Sequence, residues 1–252
     1  MPRHLFALAV ALALLPSPIA AAPDRKPVPP PDPDAAGLTT AQRFEALVER
    51  IQLEQKALRT LEADFVQEKA SEFLASPEAS HGTVSFASPD RVRWEYRTPK
   101  PISLVIHDDV MLTWYRDLGR AERVKIGRLS SHALQYMNAS SSLESLLRYF
   151  QATASFPAVG QPYKLELVPR FARVSRRLAS MTLWIDRALF LPVRVRYVEP
   201  NGDVTEYRLE HLRVNQPIAE EYFELALPDG VEVREIDLDR DRAATGAARP
   251  GG

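Results

Sequence analysis

The stretch SPDRVRWEY, Ser88–Tyr96, has the pattern of a turn followed by a β-strand. Ser-Pro-Asp favours a turn, and charged and apolar residues alternate after it. A period of two places successive side chains on opposite faces of a sheet. One face carries Val92, Trp94 and Tyr96, and the other carries Arg91, Arg93 and Glu95. The sequence therefore predicts a strand with an aromatic face and a charged face.

Segments with the same period lie on both sides of this strand. Eleven are expected to form strands: ADFVQEK, HGTVSFA, RVRWEYR, ISLVIHD, VMLTWYR, ERVKIGR, YKLELVP, LASMTLWID, LPVRVRYVE, DVTEYRLEHLRV and YFELAL. The connections are short and rich in Pro, Gly and Asp, which favours an antiparallel meander over βαβ units. Asn201-Gly202 suits a type I′ hairpin turn.

Two segments have helical periodicity instead. The first, residues 38–61, has Thr39 or Thr40 as a suitable N-cap. Its apolar positions are Phe44, Leu47, Val48, Ile51, Leu58 and Leu61. The second, Ser141–Phe150, places Leu143, Leu146, Leu147 and Phe150 on one side. The fold class is therefore mainly β, with two amphipathic helices.

The two ends of the chain differ from this central region. Residues 1–21 have the basic start, apolar run and small residues of a secretory signal peptide, with cleavage after Ala21 or Ala22. The apolar run is shorter than the roughly 20 residues that span a bilayer. Residues 22–37 are proline-rich and predict a linker, 38–236 the folded domain, and 237–252 a polar tail. Export from the cytoplasm is expected.

Composition excludes several classes of protein. The 252 residues include no cysteine, so neither a disulfide framework nor a lipid anchor at the cleavage site is expected. The net charge of -1 argues against a general nucleic-acid surface. No H-E-x-x-H, P-loop, G-x-G-x-x-G or G-x-S-x-G motif occurs, so no metal, cofactor or hydrolase site is expected. The adjacent residues 107–109, His-Asp-Asp, favour a hairpin turn over acid–base chemistry.

Periodicity leaves two architectures open. In the first, the sheet packs tightly on the helices, and Trp94, Trp114 and Trp184 belong to an ordinary core. In the second, a strongly curved sheet encloses an apolar cavity and the helices form a lid. Large antiparallel sheets that nearly close often hold one apolar ligand, so both remain possible from the pattern alone.

Residues 38–233 resemble the LolA family of periplasmic lipoprotein carriers. The resemblance rests on the order and spacing of LEADFVQEK, GTVSFASPDRVRWEY, LVIHDDVMLTWYRD and GDVTEYRLEHLRVNQPIAEEYFELALPDGVEV, together with a signal peptide that lacks a lipidation cysteine. It implies an unclosed antiparallel barrel of about eleven strands, with amphipathic helices as a lid. It also implies a carrier in the periplasm, without enzymatic activity or cofactor, that shields the acyl chains of lipoproteins.

The resemblance further implies partners and site residues. An inner-membrane ABC transporter would load the carrier, and an outer-membrane receptor lipoprotein would accept the cargo from a monomer. Ten side chains are expected to contact lipid: Phe65, Val84, Phe86, Val92, Trp94, Tyr96, Leu104, Ile106, Leu112 and Trp114. The expected lid residues are Leu143, Leu146, Leu147 and Phe150.

Two features depart from the family pattern. Ser88 stands where many members have an arginine that latches the lid, and the alternation of Arg91 and Arg93 points them to the other face. A basic run of Arg170, Arg173, Arg176 and Arg177 is either a solvated hairpin or a contact to acidic headgroups or a partner. A carrier of another lipid or glycolipid, or a lipid-sensing module, therefore remains an alternative function.

Overall fold

The computed structural model describes residues 29–125 and 143–236. The predicted signal peptide, residues 22–28 of the predicted linker, residues 126–128 of the predicted strand ERVKIGR, residues 141–142 of the second helical segment and the predicted tail lie outside the described residues. The described α-helices are α1 (Thr40–Ala57), α2 (Leu143–Tyr149) and α3 (Ala172–Ser175). Two 3-10 helices span Arg116–Leu118 and Glu220–Phe223.

The described residues form twelve β-strands. In chain order they are β1 (Thr60–Ala70), β2 (Glu78–Ala87), β3 (Arg91–Thr98), β4 (Ile102–His107), β5 (Val110–Tyr115), β6 (Arg120–Lys125), β7 (Phe150–Ser155), β8 (Tyr163–Pro169), β9 (Ser180–Ile185), β10 (Pro192–Val198), β11 (Val204–Val214) and β12 (Glu232–Ile236).

All twelve strands belong to one sheet, with the order β12-β6-β5-β4-β3-β2-β1-β11-β10-β9-β8-β7. Two meanders, β1 to β6 and β7 to β11, are joined by the antiparallel pair β1–β11. Only β12 runs parallel to its neighbour, β6. The sheet is not closed, because β7 and β12 are its two edges. The predicted fold class, mainly β with an unclosed sheet and a few helices, is confirmed.

Ten of the eleven predicted strands are present. The prediction for YFELAL is wrong, because Glu220–Phe223 forms a 3-10 helix that buries Phe223. Strands β7 and β12 were not predicted. Phe150 is the first residue of β7 and does not belong to the preceding helix. Helical spacing alone does not reveal this boundary. Phe150 is buried in the same apolar cluster as the helix residues before it, although it belongs to the strand.

Helix α1 begins and ends for identifiable reasons. Thr39 caps it with a capping box: the Gln42 amide donates to the Thr39 hydroxyl, and the Gln42 side chain accepts from the Thr39 amide. The helix ends at Ala57, short of the predicted Leu61, because Leu61 already belongs to β1. Leu47 and Ile51 are buried against α2 and strands β8 and β9. We define the face of the sheet that these helices cover as the inner face.

The hairpin between β10 and β11 is present, but its turn is not type I′. Gly202 is left-handed with φ 92°, whereas Asn201 is not among the residues with positive φ. The Gly202 amide donates to the Glu199 carbonyl at 3.0 Å. Pro200 holds φ negative at the first turn position, which is incompatible with type I′ and suits a type I turn followed by a left-handed glycine.

The last part of the predicted linker makes specific contacts. Pro33 is fully buried, and Asp34 lies beside two guanidinium groups and a phenol. The Arg43 Nη2 atom is 2.6 Å from Asp34 Oδ1, and the Tyr163 hydroxyl donates to Asp34 Oδ2 at 2.6 Å. Arg187 pairs with the same Oδ2 atom. Pro33 and Asp34, at the end of the predicted linker, therefore pack with the folded domain.

These contacts set the protonation of both partners. Burial alone would raise the pKa of Asp34, but hydrogen bonds from Tyr163 and Arg43 and the charges of Arg187 and Arg43 outweigh it and lower that pKa below its usual value. Burial, followed by the hydrogen bond to Asp34, raises the pKa of Tyr163 to about 12. The carboxylate is therefore ionised and the phenol neutral at physiological pH.

Asp34→Asn is expected to lower the free energy of unfolding at neutral pH, because three donors lose a carboxylate. Folding lowers the pKa of Asp34. The carboxylate therefore adds fully to the free energy of unfolding above the unfolded-state pKa of about 3.9, and this stabilisation is lost as pH falls through the folded-state pKa. Urea unfolding at several pH values should show the difference from wild type shrinking below about pH 4. Asp229→Asn, at an exposed position, is the control. A difference that does not change with pH would contradict this role.

Candidate functional site: an aromatic wall on the inner face

The strand register places most of the predicted lipid contacts on the inner face. Val84 pairs with Trp94, and Trp94 pairs with Leu104 on the other side. Phe86, Val92 and Ile106 form a second row of partners across β2, β3 and β4. Directly paired residues of antiparallel strands point to the same face, so these side chains form one apolar surface. Together with Phe65 and Tyr96, they are called the aromatic wall here.

Phe65 lies at the centre of this wall. Its ring centroid is 4.8 Å from that of Trp94 and 4.9 Å from that of Tyr96, both with edge-on geometry. Tyr207 of β11 extends the group, with its ring 5.5 Å from Trp94. Edge-on aromatic pairs at these separations are each worth about 0.5–1.5 kcal/mol beyond area burial. The wall is therefore a fixed surface on which Trp94 and Tyr96 remain only half-buried.

Gly82 makes room for Phe65. It lies opposite Phe65 in β1 and opposite Tyr96 in β3. A Cβ atom at position 82 would lie 1.9 Å from the carbonyl oxygen of Glu95 and 2.7 Å from the Phe65 ring. Any side chain there would displace either the β3 backbone or the ring. Glycine at this position therefore lets the Phe65 ring approach β2 closely.

The polar groups of this surface lie close to one another. The Gln67 amide donates to the Tyr207 hydroxyl at 2.7 Å, and the Tyr96 and Tyr207 hydroxyls are near enough to influence each other's pKa. Burial is the main cause that raises the pKa of each of Tyr96, Tyr197 and Tyr207. The tyrosines are therefore neutral at physiological pH. They add hydrogen-bonding groups but no charge, which suits contact with an apolar ligand.

Leu112 and Trp114, both predicted to contact lipid, lie on the opposite, outer face. Leu112 pairs with Val105, and Trp114 pairs with Ser103. Instead, Met111 and Thr113 of β5 point inward with Ile106 and Leu104. The physical reason is the two-residue turn at Asp108 and Asp109, both with positive φ, which pairs His107 with Val110 and so determines the face of every later residue.

Tryptophans on the outer face are covered by arginines. The guanidinium carbon of Arg116 lies 4.5 Å from the Trp114 ring centroid, and that of Arg194 lies 4.2 Å from the Trp184 ring centroid. Such cation–π contacts are ordinary features of a solvated surface. Of the three tryptophans, only Trp94 belongs to the wall.

Arg91 and Arg93 also lie on the outer face, where they bind the C-terminal segment. Arg91 pairs with Glu220 at 3.1 Å, and Arg93 Nη1 donates to the Tyr222 carbonyl at 2.6 Å. Ser88 uses its backbone amide to bond the Arg59 carbonyl at 2.7 Å. Neither arginine therefore replaces a latch at position 88 on the inner face.

The predicted lid residues lie over a different part of the inner face. Leu143 and Leu146 are buried with α1 and with strands β8 and β9, and Leu147 packs beside them. Phe150 is fully buried in the same cluster. The Leu143 amide donates to the Gln55 side chain of α1 at 3.1 Å. The residues clustered around Val92 form a separate group, so α2 lies beside the aromatic wall and not on Val92.

Two members of the surface were missed by the sequence analysis. Tyr207 and Gln67 pair directly across β1 and β11. Alternation within DVTEYRLEHLRV does place Tyr207 and Leu209 together, which is a usable signal. The register shift between Glu62 and Asp64 and the left-handed His211 interrupt that alternation further along β11. The strand therefore has no single apolar face over its whole length.

In residues 29–125 and 143–236, no helix has the length and apolar character required to cross a membrane. The same two ranges contain no group of three or more His, Asp or Glu side chains placed to hold a metal ion.

A large unclosed sheet with an apolar inner face and two packed helices is the arrangement of a binding protein. Residues 56–226 match the model of the family described as outer membrane lipoprotein carrier protein LolA. The chain belongs to the LolA family.

Individual relatives are more distant. The chain is 25% identical over 179 residues to an outer-membrane lipoprotein carrier protein of Helicobacter hepaticus, with 71% of this chain and 85% of the relative covered. An uncharacterized conserved protein of Thermus thermophilus has a TM-score of 0.49 at 12% identity, covering 79% of this chain and 100% of that one. A LolA superfamily protein of Nitrosomonas europaea has a TM-score of 0.38 at 10% identity, covering 75% and 99%.

Proposed function

We propose that the chain is a periplasmic carrier that holds the acyl chains of lipoproteins against the aromatic wall and transfers them from the inner to the outer membrane. The observation that carries this proposal is the wall itself: an apolar inner surface on which Trp94, Tyr96 and Leu104 remain half-buried. Membership of the LolA family supports the cargo class. The partners we propose are an inner-membrane ABC transporter as donor and an outer-membrane receptor lipoprotein as acceptor.

The energetics of apolar transfer suit a carrier. Each CH₂ group removed from water is worth about 0.8 kcal/mol, so one long acyl chain represents roughly 10 kcal/mol. A carrier has to recover most of this free energy and still release its load. Aromatic side chains with few directed polar contacts provide broad, non-specific stabilisation, and the neutral hydroxyls of Tyr96 and Tyr207 offer little to a charged ligand. We therefore propose binding and transfer without bond chemistry.

Native mass spectrometry of protein purified from its own periplasm tests the proposal. We expect a co-purifying lipoprotein or its acylated N-terminal peptide. The same spectrum gives the mass of the mature chain, which we expect to begin near Ala22. Recovery of phospholipid or glycolipid alone would contradict a lipoprotein cargo and favour the carrier of another lipid, a function that Ser88 at the latch position also suits. An uncleaved chain would contradict the proposed location.

We propose that helix α2 is a lid that cargo displaces. A seven-residue helix is marginal in water, so α2 depends on its contacts with α1 and with strands β8 and β9. An acyl chain can substitute for the same burial, which makes displacement inexpensive in free energy.

Leu146→Ser is expected to speed uptake of a fluorescent acyl probe, because it removes a buried side chain that holds α2 in place. Truncating a buried leucine costs about 2–5 kcal/mol, which would shift α2 strongly towards release. Stopped-flow fluorescence measures the uptake rate. Phe223→Ala, at a buried residue of the 3-10 helix Glu220–Phe223 and outside the cluster that contains α2, is the control that lowers stability without touching α2. Equal rates for Leu146→Ser and wild type would mean that α2 is not the lid.

A further inference from the structure

Exposed apolar side chains gather at one end of the sheet. The register places the β1–β2, β5–β6 and β8–β9 connections at this end, because the Ala70, Tyr115 and Pro169 ends of β1, β5 and β8 all face the same way. Phe73 in the first connection is 83% exposed, Leu118 in the second 64%, and Phe171 in the third 45%. Single exposed apolar groups are common on protein surfaces, so the placement of these three and the charges around them decide what they can contact.

The three connections are evenly spaced. The β1–β2 connection lies midway between the other two in the strand order. It is four strand positions from the β5–β6 connection on one side and four from the β8–β9 connection on the other. With about 4.8 Å between neighbouring strands, successive tips lie roughly 19 Å apart along the sheet. Such tips do not form one contiguous patch of the roughly 800 Å² that each side of a stable protein interface contributes. Three separate points can, however, contact one flat surface together.

The third tip is strongly basic. Residues 167–185 include four arginines and no acidic residue. Val174 and Leu178 of this connection pack on the core, and Arg170, Arg173, Arg176 and Arg177 are exposed. Arg173 lies over the Phe171 ring at 5.8 Å. Within the described residues, no carboxylate pairs with Arg176 or Arg177. Glu72 is exposed at the first tip, and Arg116 and Asp117 are both exposed at the second, so the excess of positive charge lies beside Phe171.

We propose that these three tips, defined as Phe73, Leu118 and Phe171 with its arginines, dock the protein on an anionic phospholipid bilayer. The guanidinium groups bind lipid phosphates, and the apolar tips enter the interfacial layer. Each basic side chain near an anionic surface is worth roughly a fivefold gain in affinity. Docking would hold the carrier at a membrane through these tips. It is separate from cargo binding, since the tips lie outside the aromatic wall.

Vesicle flotation tests the proposal with phosphatidylcholine vesicles that contain or lack phosphatidylglycerol. We expect the wild type to float only with phosphatidylglycerol, and less so at high salt. Arg176→Glu/Arg177→Glu should weaken this binding by at least about 25-fold. Phe73→Ser/Leu118→Ser should weaken it by at least about tenfold. Both pairs are exposed, so folding should be unchanged.

Matched variants at the opposite end of the sheet are the controls. Val159→Ser replaces the most exposed apolar residue there, 93% exposed, and Arg59→Glu/Lys125→Glu reverses two exposed charges. Neither should change flotation. Trp94→Glu should still float, and Arg176→Glu/Arg177→Glu should still bind an acyl probe, so failed docking and failed cargo binding are distinguishable. Wild-type protein that stays in solution with both vesicles would overturn the proposal. The proposal would also be overturned if the control variants lost as much flotation with phosphatidylglycerol vesicles as the tip variants do.

Discussion

Gly82→Ala is expected to lower the free energy of unfolding by about 3 kcal/mol or more, because the added methyl group has no space. The added Cβ would lie 1.9 Å from the Glu95 carbonyl oxygen and 2.7 Å from the Phe65 ring. The carbonyl belongs to a paired strand and the ring is buried, so neither can move freely. Urea unfolding followed by circular dichroism measures the change.

Thr83→Ala is the matched control for this prediction, since Thr83 is the next residue of β2 and points to the outer face. It should cost less than about 1 kcal/mol. If Gly82→Ala were as mild as this control, the close approach of β1, β2 and β3 at Phe65 would be incorrect, and with it the geometry of the aromatic wall.

Trp94→Glu is expected to weaken acyl binding by roughly 60- to 300-fold. A charged side chain at the centre of an apolar layer costs roughly 2.5–3.5 kcal/mol, and each 1.4 kcal/mol is tenfold in affinity. Trp94 contacts both Phe65 and Tyr207, so some loss of stability is also expected. Titration with a fluorescent acyl probe measures binding, and near-ultraviolet circular dichroism measures the folded fraction.

Trp114→Glu makes the same chemical change on the outer face. There the new carboxylate lies beside Arg116, so it gains a partner and leaves the wall unchanged. We expect acyl binding close to that of the wild type. An equal loss of acyl-probe affinity in the two tryptophan variants would indicate that Trp94 is an ordinary core residue. An unfolded Trp94→Glu protein would indicate the same.

Much of the fold follows from period-two patterns, because one buried face per strand leaves a clear alternation. Val92, Trp94 and Tyr96 illustrate this, since charged residues separate them. Strand β5 is different: VMLTWY is apolar on both faces, and its alternation does not tell which face is inside. The two-residue turn at Asp108-Asp109 carries that information, because pairing His107 with Val110 places Met111 inside and Leu112 outside.

Other features could not be predicted from local pattern. Strand β12 is exposed along most of its length, and its partner β6 is more than a hundred residues away in the sequence. The contacts of Asp34 with Tyr163 and Arg187 likewise depend on tertiary structure. The prediction for residues 22–37 relied on proline content, which describes chain stiffness but not whether a buried Pro33 finds a site in the fold.

The most direct test of the central claim is to locate a bound acyl chain. A lipopeptide with a photoreactive group near the end of its acyl chain would be loaded, irradiated and mapped by mass spectrometry. We predict cross-links to inner-face residues of β1 to β4, above all Phe65, Trp94 and Leu104, and their loss in Trp94→Glu. Cross-links confined to the outer face at Leu112 and Trp114, or to the exposed tip at Phe73, would contradict the account.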